Sequence, residues 1–219
     1  MKKSVTFVQL NHSTMKTTRF FTLAAMAGLM LAGCSKKHTS NPGSTTDAGV
    51  VIQGVTWATR NVDTPGKFAK NEQSFGMLYQ WNRKKAWPAT NTPATGWEDA
   101  DLNAEWEASN NPCPAGWRLP TKEDWDKLCG LEYVSTAVHD VQGGRFVDGD
   151  NSLFLPAAGY RAWKTGSFFS SGSHGEYYSS TPAEYDEQNA FALYLNPDDA
   201  HVGTYAKGTG RSVRCVKEE

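Results

Sequence analysis

The sequence predicts an α+β fold with a mainly antiparallel sheet, and three observations lead there. Short β-branched and aromatic runs recur along the chain, each bounded by glycine or proline turns. One segment carries clear helical spacing, with Trp125, Leu128 and Cys129 on one face behind Thr121. No internal repeat of fixed period is present. A length of 219 residues allows one domain or two small ones. Such a chain buries roughly 70% of its unfolded surface.

Taken in order, the chain opens with a leader. Residues 1–14 are polar and mixed, whereas Met15-Lys-Thr-Thr-Arg19 reads as a signal-peptide n-region, so translation is expected to start at Met15. Residues 20–33 form an uncharged, mostly apolar run, shorter than the ~20 residues of a membrane span. The run ends Leu31-Ala-Gly-Cys34, which resembles the bacterial lipoprotein box. The expectation is a signal peptide over residues 1–33, cleavage before Cys34, and acyl chains on its sulfur and its new amine. The alternative is an ordinary secretory leader that happens to hold a cysteine. Two or three acyl chains anchor stably where one does not. The expected location is therefore the outer membrane, on its periplasmic or its exposed side, with the membrane as partner through the lipid. Residues 34–49 are rich in Ser, Thr, Asn, Gly and Lys and read as a flexible tether, with a span on the order of 20 Å. Residues 50–219 form the expected domain.

Within it, residues 50–59 read as a strand bent at Gly54, and residues 75–81 as a second strand. The pattern dissolves over residues 82–111, a loop holding Trp87, Trp97 and Trp106 among Pro, Thr, Asn and Gly. Residues 99–109 have room for a helical turn with Leu102 and Trp106 on one side. Pro112, Pro114 and Gly116 then forbid a helix or a central strand, so the chain there is a pinned loop around Cys113. Pro120 pushes Leu119 into extended backbone. Thr121 stands at a helix N-cap, with Glu123 and Asp124 near the positive end of the dipole. Residues 138–147 are weak and interrupted by glycine. Short strands are expected at residues 153–155, 177–181 and 190–195. Residues 201–205 and 211–216 read as a closing hairpin across Lys207-Gly-Thr-Gly210.

Six stretches carry a resemblance. They are Gly54-Val-Thr-Trp-Ala-Thr-Arg-Asn61, Phe75-Gly-Met-Leu-Tyr-Gln-Trp81, Gly116-Trp-Arg-Leu-Pro-Thr-Lys-Glu-Asp-Trp125, Leu155-Pro-Ala-Ala-Gly-Tyr-Arg161, Tyr177-Tyr-Ser-Ser-Thr181 and Ser212-Val-Arg-Cys-Val216. In this order they resemble the Fibrobacter succinogenes major paralogous domain over roughly residues 50–217. The resemblance implies a C-type-lectin-like fold, related to formylglycine-generating enzymes, in an envelope setting, and it supplies no known reaction. It also implies a disulfide between Cys113 and Cys215, which lie in or beside two of these stretches. Such a bond closes a loop of about 100 residues and is worth ~4–5 kcal/mol in the chain-entropy model. The rival pairing is Cys129 with Cys215; otherwise Cys129 is a buried free thiol.

The composition narrows the function. The net charge is −1, and the leader holds Lys2, Lys3, Lys16 and Arg19 with no acid, so the mature chain is more acidic still. Without a basic stripe, nucleic-acid binding is not expected. The formylglycine-generating activity needs a cysteine pair ahead of the Arg214-Cys215 ending, and residues 168–210 contain no cysteine, so that activity is not carried over. His38, His139, His174 and His201 lack metal-ligand spacing. Ser170-Ser-Gly-Ser-His174 has no nucleophile elbow around it and reads as a turn. Asn196-Pro-Asp-Asp199 has calcium-like oxygen chemistry but does not match the lectin calcium motifs. No metal and no cofactor are expected.

What remains is binding by aromatic rings. Pockets that hold sugars combine apolar walls with a few polar groups. Trp87, Trp97 and Trp163 lie in polar, loop-like contexts and are the candidate ligand-binding residues; Trp57, Trp117 and Trp125 lie in the motifs and are expected in the core. The alternative is that all eight tryptophans pack. The expected function is non-catalytic recognition of a glycan or an envelope protein, or a structural surface role. The second reading is an envelope hydrolase.

Overall fold

A computed structural model describes residues 44–98 and 105–219. The expected signal peptide, the lipidation at Cys34 and most of the tether therefore lie outside the described residues.

In chain order the elements are β1 (Val50–Ile52), β2 (Val55–Asn61), β3 (Met77–Tyr79), β4 (Ala86–Pro88), β5 (Trp117–Arg118), α1 (Lys122–Cys129), β6 (Glu132–Val138), β7 (Val141–Asp148), β8 (Asn151–Pro156), β9 (Tyr160–Arg161), β10 (Phe168–Phe169), β11 (Gly175–Pro182), β12 (Asn189–Leu195), β13 (Ala200–Ala206), β14 (Arg211–Ser212) and β15 (Arg214–Lys217). The strands form four sheets, ordered β1-β2-β15-β5, β13-β12-β11-β14-β3-β4, β6-β7-β8 and β9-β10. The architecture is thus broadly α+β, mostly sheet, with α1 as its α-helix among the described residues.

Two hydrophobic cores lie on opposite faces of the central strands, and the two-residue side-chain period of a strand divides them. In β2, Val55 and Trp57 face one core and Ala58 the other; in β11, Tyr177 and Tyr178 separate in the same way. In β15, Val216 and Cys215 do likewise. The first core also takes Trp125 and Leu128 from α1, and the second takes Trp81 and Trp117.

The helix starts where the sequence places it. Thr121 Oγ1 accepts from the Asp124 amide at 3.2 Å, and the Asp124 carboxylate accepts from the Thr121 amide at 2.9 Å, closing a capping box. Arg118 reaches the same carboxylate at 2.8 Å.

Four expectations about backbone are corrected. Residues 50–59 are a hairpin rather than one bent strand, because Gln53 (φ 48°) and Gly54 (φ 77°) make the left-handed turn that reverses a two-residue connection. Residues 138–147 hold part of a regular three-stranded meander, turned at His139 (φ 48°) and Asp140 (φ 66°). The last two strands do not form a closing hairpin: β13 pairs with β12, whereas β14 pairs with β3 and runs parallel to β11. Val213 then carries the chain into the other sheet, where β15 joins β2 and β5. Finally, residues 44–49, assigned to the tether, are packed down. Asp47 binds the Arg60 guanidinium at 3.0 Å and the Thr59 hydroxyl at 3.0 Å, with its side chain 2% exposed. A buried guanidinium needs a counter-charge, and this segment supplies it. Of the helical turn expected over residues 99–109, residues 99–104 lie outside the described residues; a 3₁₀ turn occupies Ala108–Asn110.

Candidate functional site

Five of the six motifs converge on one buried amide. Asn61 Oδ1 accepts from Arg214 Nε at 2.9 Å, while Asn61 Nδ2 donates to Phe75 O at 2.9 Å and to Tyr177 Oη at 3.4 Å. Tyr177 Oη donates in turn to Pro156 O at 2.6 Å. These five touch in one network. The sixth joins through Trp125 Nε1, which donates to Tyr178 O at 3.2 Å, and through the Ser180 amide on Pro120 O at 2.8 Å. Cys113 and Cys215 are disulfide-bonded, which ties the pinned loop before β5 to β15, and Cys129 is a free thiol. Burial pushes that thiol up to about 12, so it is a weak nucleophile at neutral pH.

The motif arginines serve the same frame. Arg214 is fully buried, and its other donors go to Ala58 O and Phe154 O; burial pulls its guanidinium down to about 10. Arg161, also fully buried, donates to the carbonyls of Pro88, Thr90, Thr92 and Gly166. It thereby pins the start of the long loop onto the β9–β10 hairpin. Just ahead of the last motif, Arg211 binds Glu176 at 2.7 Å and Ala206 O at 2.7 Å.

The three candidate tryptophans are brought together, but by packing. Trp87, expected at the surface, is only 3% exposed, because it pairs with Leu78 across β3 and β4 and its flat ring fills that face. Its ring meets that of half-buried Trp97 edge-to-face at 4.7 Å. Trp97 Nε1 donates to Trp163 O, and the Trp163 ring lies directly over Gly208, where any side chain would collide. Trp57, Trp117 and Trp125 are buried in the two cores, as the sequence suggested.

Two surface grooves were not foreseen. One, of about 520 Å³, lies between the start of α1 and the β11–β12 loop, with Lys122, Glu184, Tyr185 and Phe191 in its walls. Its size suits a small ligand, yet two of its charged groups are engaged by neighbours outside it. Lys122 pairs with Asp126 at 2.5 Å and lies over the Phe191 ring, and Asp186 caps its own turn through Gln188 and Asn189. The other groove, of about 460 Å³, runs between Thr92, Thr95 and Thr165. The segments flanking it are held by Arg161. The Ser170–His174 segment is a turn, with Ser173 Oγ donating to Ser170 O at 3.1 Å. Asn196 Oδ1 caps the next turn by accepting from the Asp198 and Asp199 amides. Among the described residues, no group of three or more His, Cys, Asp or Glu side chains is placed to hold a metal ion.

Fold and network together define a disulfide-tied α+β domain whose motif residues make a frame. The chain belongs to the Fibrobacter succinogenes major domain family, whose model matches residues 38–217. Neither a curated protein nor a solved structure matches it.

Proposed function

We propose that this chain is an envelope lipoprotein whose domain, C-type-lectin-like in arrangement, recognises a glycan without performing chemistry on it. One observation carries the reading: four polar or charged side chains of the family motifs are buried and engaged inside the frame. Asn61, Tyr177, Arg161 and Arg214 bond to carbonyls, hydroxyls and each other. A frame built this way leaves recognition to the surface that the motifs do not reach, as in scaffolds that carry variable loops. Short open sheets, the small helix α1 and a long loop whose start is held by Arg161 support the lectin-like arrangement. Support for the anchor comes from Leu31-Ala-Gly-Cys34 behind a basic n-region, and from a disulfide of the kind that persists outside the cytosol. No helix among the described residues is long and apolar enough to cross a membrane.

The test has two arms. Mass spectrometry of the protein from its native host should find acyl chains on Cys34, and Cys34→Ser should leave the membrane fraction. The full chain should also be retained on at least one immobilised glycan. Unchanged membrane retention of the variant, without acyl mass on the wild type, defeats the anchor; no retention on any glycan defeats the recognition reading.

A further inference from the structure

We propose that the outer face of β12 and β13 is a stacking platform for a neutral glycan, a proposal that rests on the recognition reading above and gives it a place.

Register puts the residues there. Tyr194 lies opposite His201, Ala192 opposite Gly203 and Ala190 opposite Tyr205, so the strand period sends Tyr194, His201 and Tyr205 to one face. The opposite face carries Leu193 and Leu195 into the first core. His174, from the turn ahead of β11, adds a fourth ring. Its centroid is 5.3 Å from that of Tyr194, with planes 38° apart. His201 stands 5.3 Å from Tyr194 at 37°, and Tyr205 stands 6.3 Å away with its plane only 18° off. Four rings from three segments thus cluster around Tyr194 at the free edge of the six-stranded sheet. Towards the sheet centre the same face runs under Trp81 and Trp106 and is buried. At the β13 end it is open: the His201 side chain is 49% exposed.

The rings are fixed in place without a ligand. His201 Nδ1 is 2.6 Å from the Asp199 carboxylate and its Nε2 is 3.1 Å from Tyr205 Oη. The Tyr205 ring crosses the strand over Gly203, where a Cβ would lie 3.0 Å from its edge. Arg211, held by Glu176, sits 5.4 Å from the centre of the Tyr205 ring. Rings immobilised in advance lose little freedom on binding, which favours affinity.

Their chemistry selects the occupant. Aromatic faces attract the C–H faces of a sugar ring, and carboxylates and phenols at the rim accept and donate to its hydroxyls. The charges beside the platform are Asp198 and Asp199, both exposed, whereas Arg211 is neutralised by Glu176. An acidic rim repels carboxylated or phosphorylated sugars, and nucleotides for the same reason. A neutral saccharide chain meets no such penalty.

Native electrophoresis of the full chain in detergent, through gels containing mannan, xylan, β-glucan or alginate, tests this. The wild type should be retarded in at least one neutral gel and not in alginate. Tyr194→Ala and Tyr205→Ala should each weaken retardation about tenfold, the equivalent of ~1.4 kcal/mol per ring, and Tyr194→Phe should restore it. His201→Ala, at an exposed position, should weaken it with an unchanged melting temperature, which keeps the test valid if an alanine variant at a tyrosine unfolds. Equal retardation of all variants and wild type overturns the platform while leaving glycan recognition standing. Retardation only in alginate overturns the neutral ligand, and no retardation in any gel overturns the glycan reading itself.

Discussion

Arg214 Nε and Asn61 Oδ1 lie 2.9 Å apart although 153 positions separate them in the chain. The bond joins β15 to β2 at the point where both cores meet, and it is buried on every side. The three oxygens that hold this cation come from one amide and two carbonyls, none of them a carboxylate. An arginine placed so deeply acts as a cross-brace, since it has no route to a ligand.

The disulfide is the covalent counterpart of that brace. Cys113 and Cys215 are 102 positions apart, so reduction should release a large loop and cost ~4–5 kcal/mol in the chain-entropy model. Non-reducing peptide mapping should recover the two peptides as one species. Denaturant midpoints that stay equal with and without reductant would show that the bond does not support the fold.

Trp87 separates packing from display. Its burial implies that Trp87→Ala costs about 3–5 kcal/mol. Trp97, half-buried, should lose less. A Trp87→Ala midpoint within about 0.5 kcal/mol of wild type, as for a surface site, would return this indole to the list of ligand-binding residues.

Thr121→Ala should cost about 1 kcal/mol, because it removes an N-cap oxygen. Asp124→Ala should cost more, since it also releases Arg118. A Thr121→Ala urea midpoint equal to wild type would contradict the cap, and indistinguishable midpoints for the two variants would contradict the added Arg118 contribution.

High pH should unfold the domain. Burial pushes Tyr177 and Tyr178 up from 10.0 to about 12. In the unfolded chain both ionise near the lower value, so the stability they contribute is complete below about pH 10 and is lost as pH rises through 12. Arg214, pulled down to about 10, acts in the opposite sense over that window. Burial also raises Tyr79 and Tyr133, so the tyrosines outnumber it. The denaturant midpoint should fall between about pH 10 and 12; a midpoint rising there would refute the assignment.

Local chemistry was legible in the sequence, and non-local pairing was not. The Thr121 cap and the strands around Leu155, Tyr177 and Ala192 follow from neighbours in the chain. The Gln53-Gly54 reversal was read as a bend because Gln is an unusual residue at a left-handed position. Strand β6 went unnoticed because much of it is exposed on both faces, which hides any alternation. Strands β13 and β14 looked like hairpin partners, yet β12 and β11 stand between them, and no local signal encodes that order. Tyr194 carries no local signal of its own, although His201-x-Gly203-x-Tyr205 has the two-residue period of a strand face. The indole loop drew attention instead, because tryptophan in a polar context looks the same whether it packs or binds.

The claim that the family motifs build a frame is tested most directly by a double-mutant cycle on Asn61 and Arg214. Asn61→Ala should cost about 1.5–3 kcal/mol, the usual range for a bond to a charged group. Arg214→Met, which removes the buried charge, should make the Asn61 change far less harmful. The account predicts a coupling of about 1–3 kcal/mol from urea unfolding. Two independent, additive losses, with coupling inside experimental error, would contradict it.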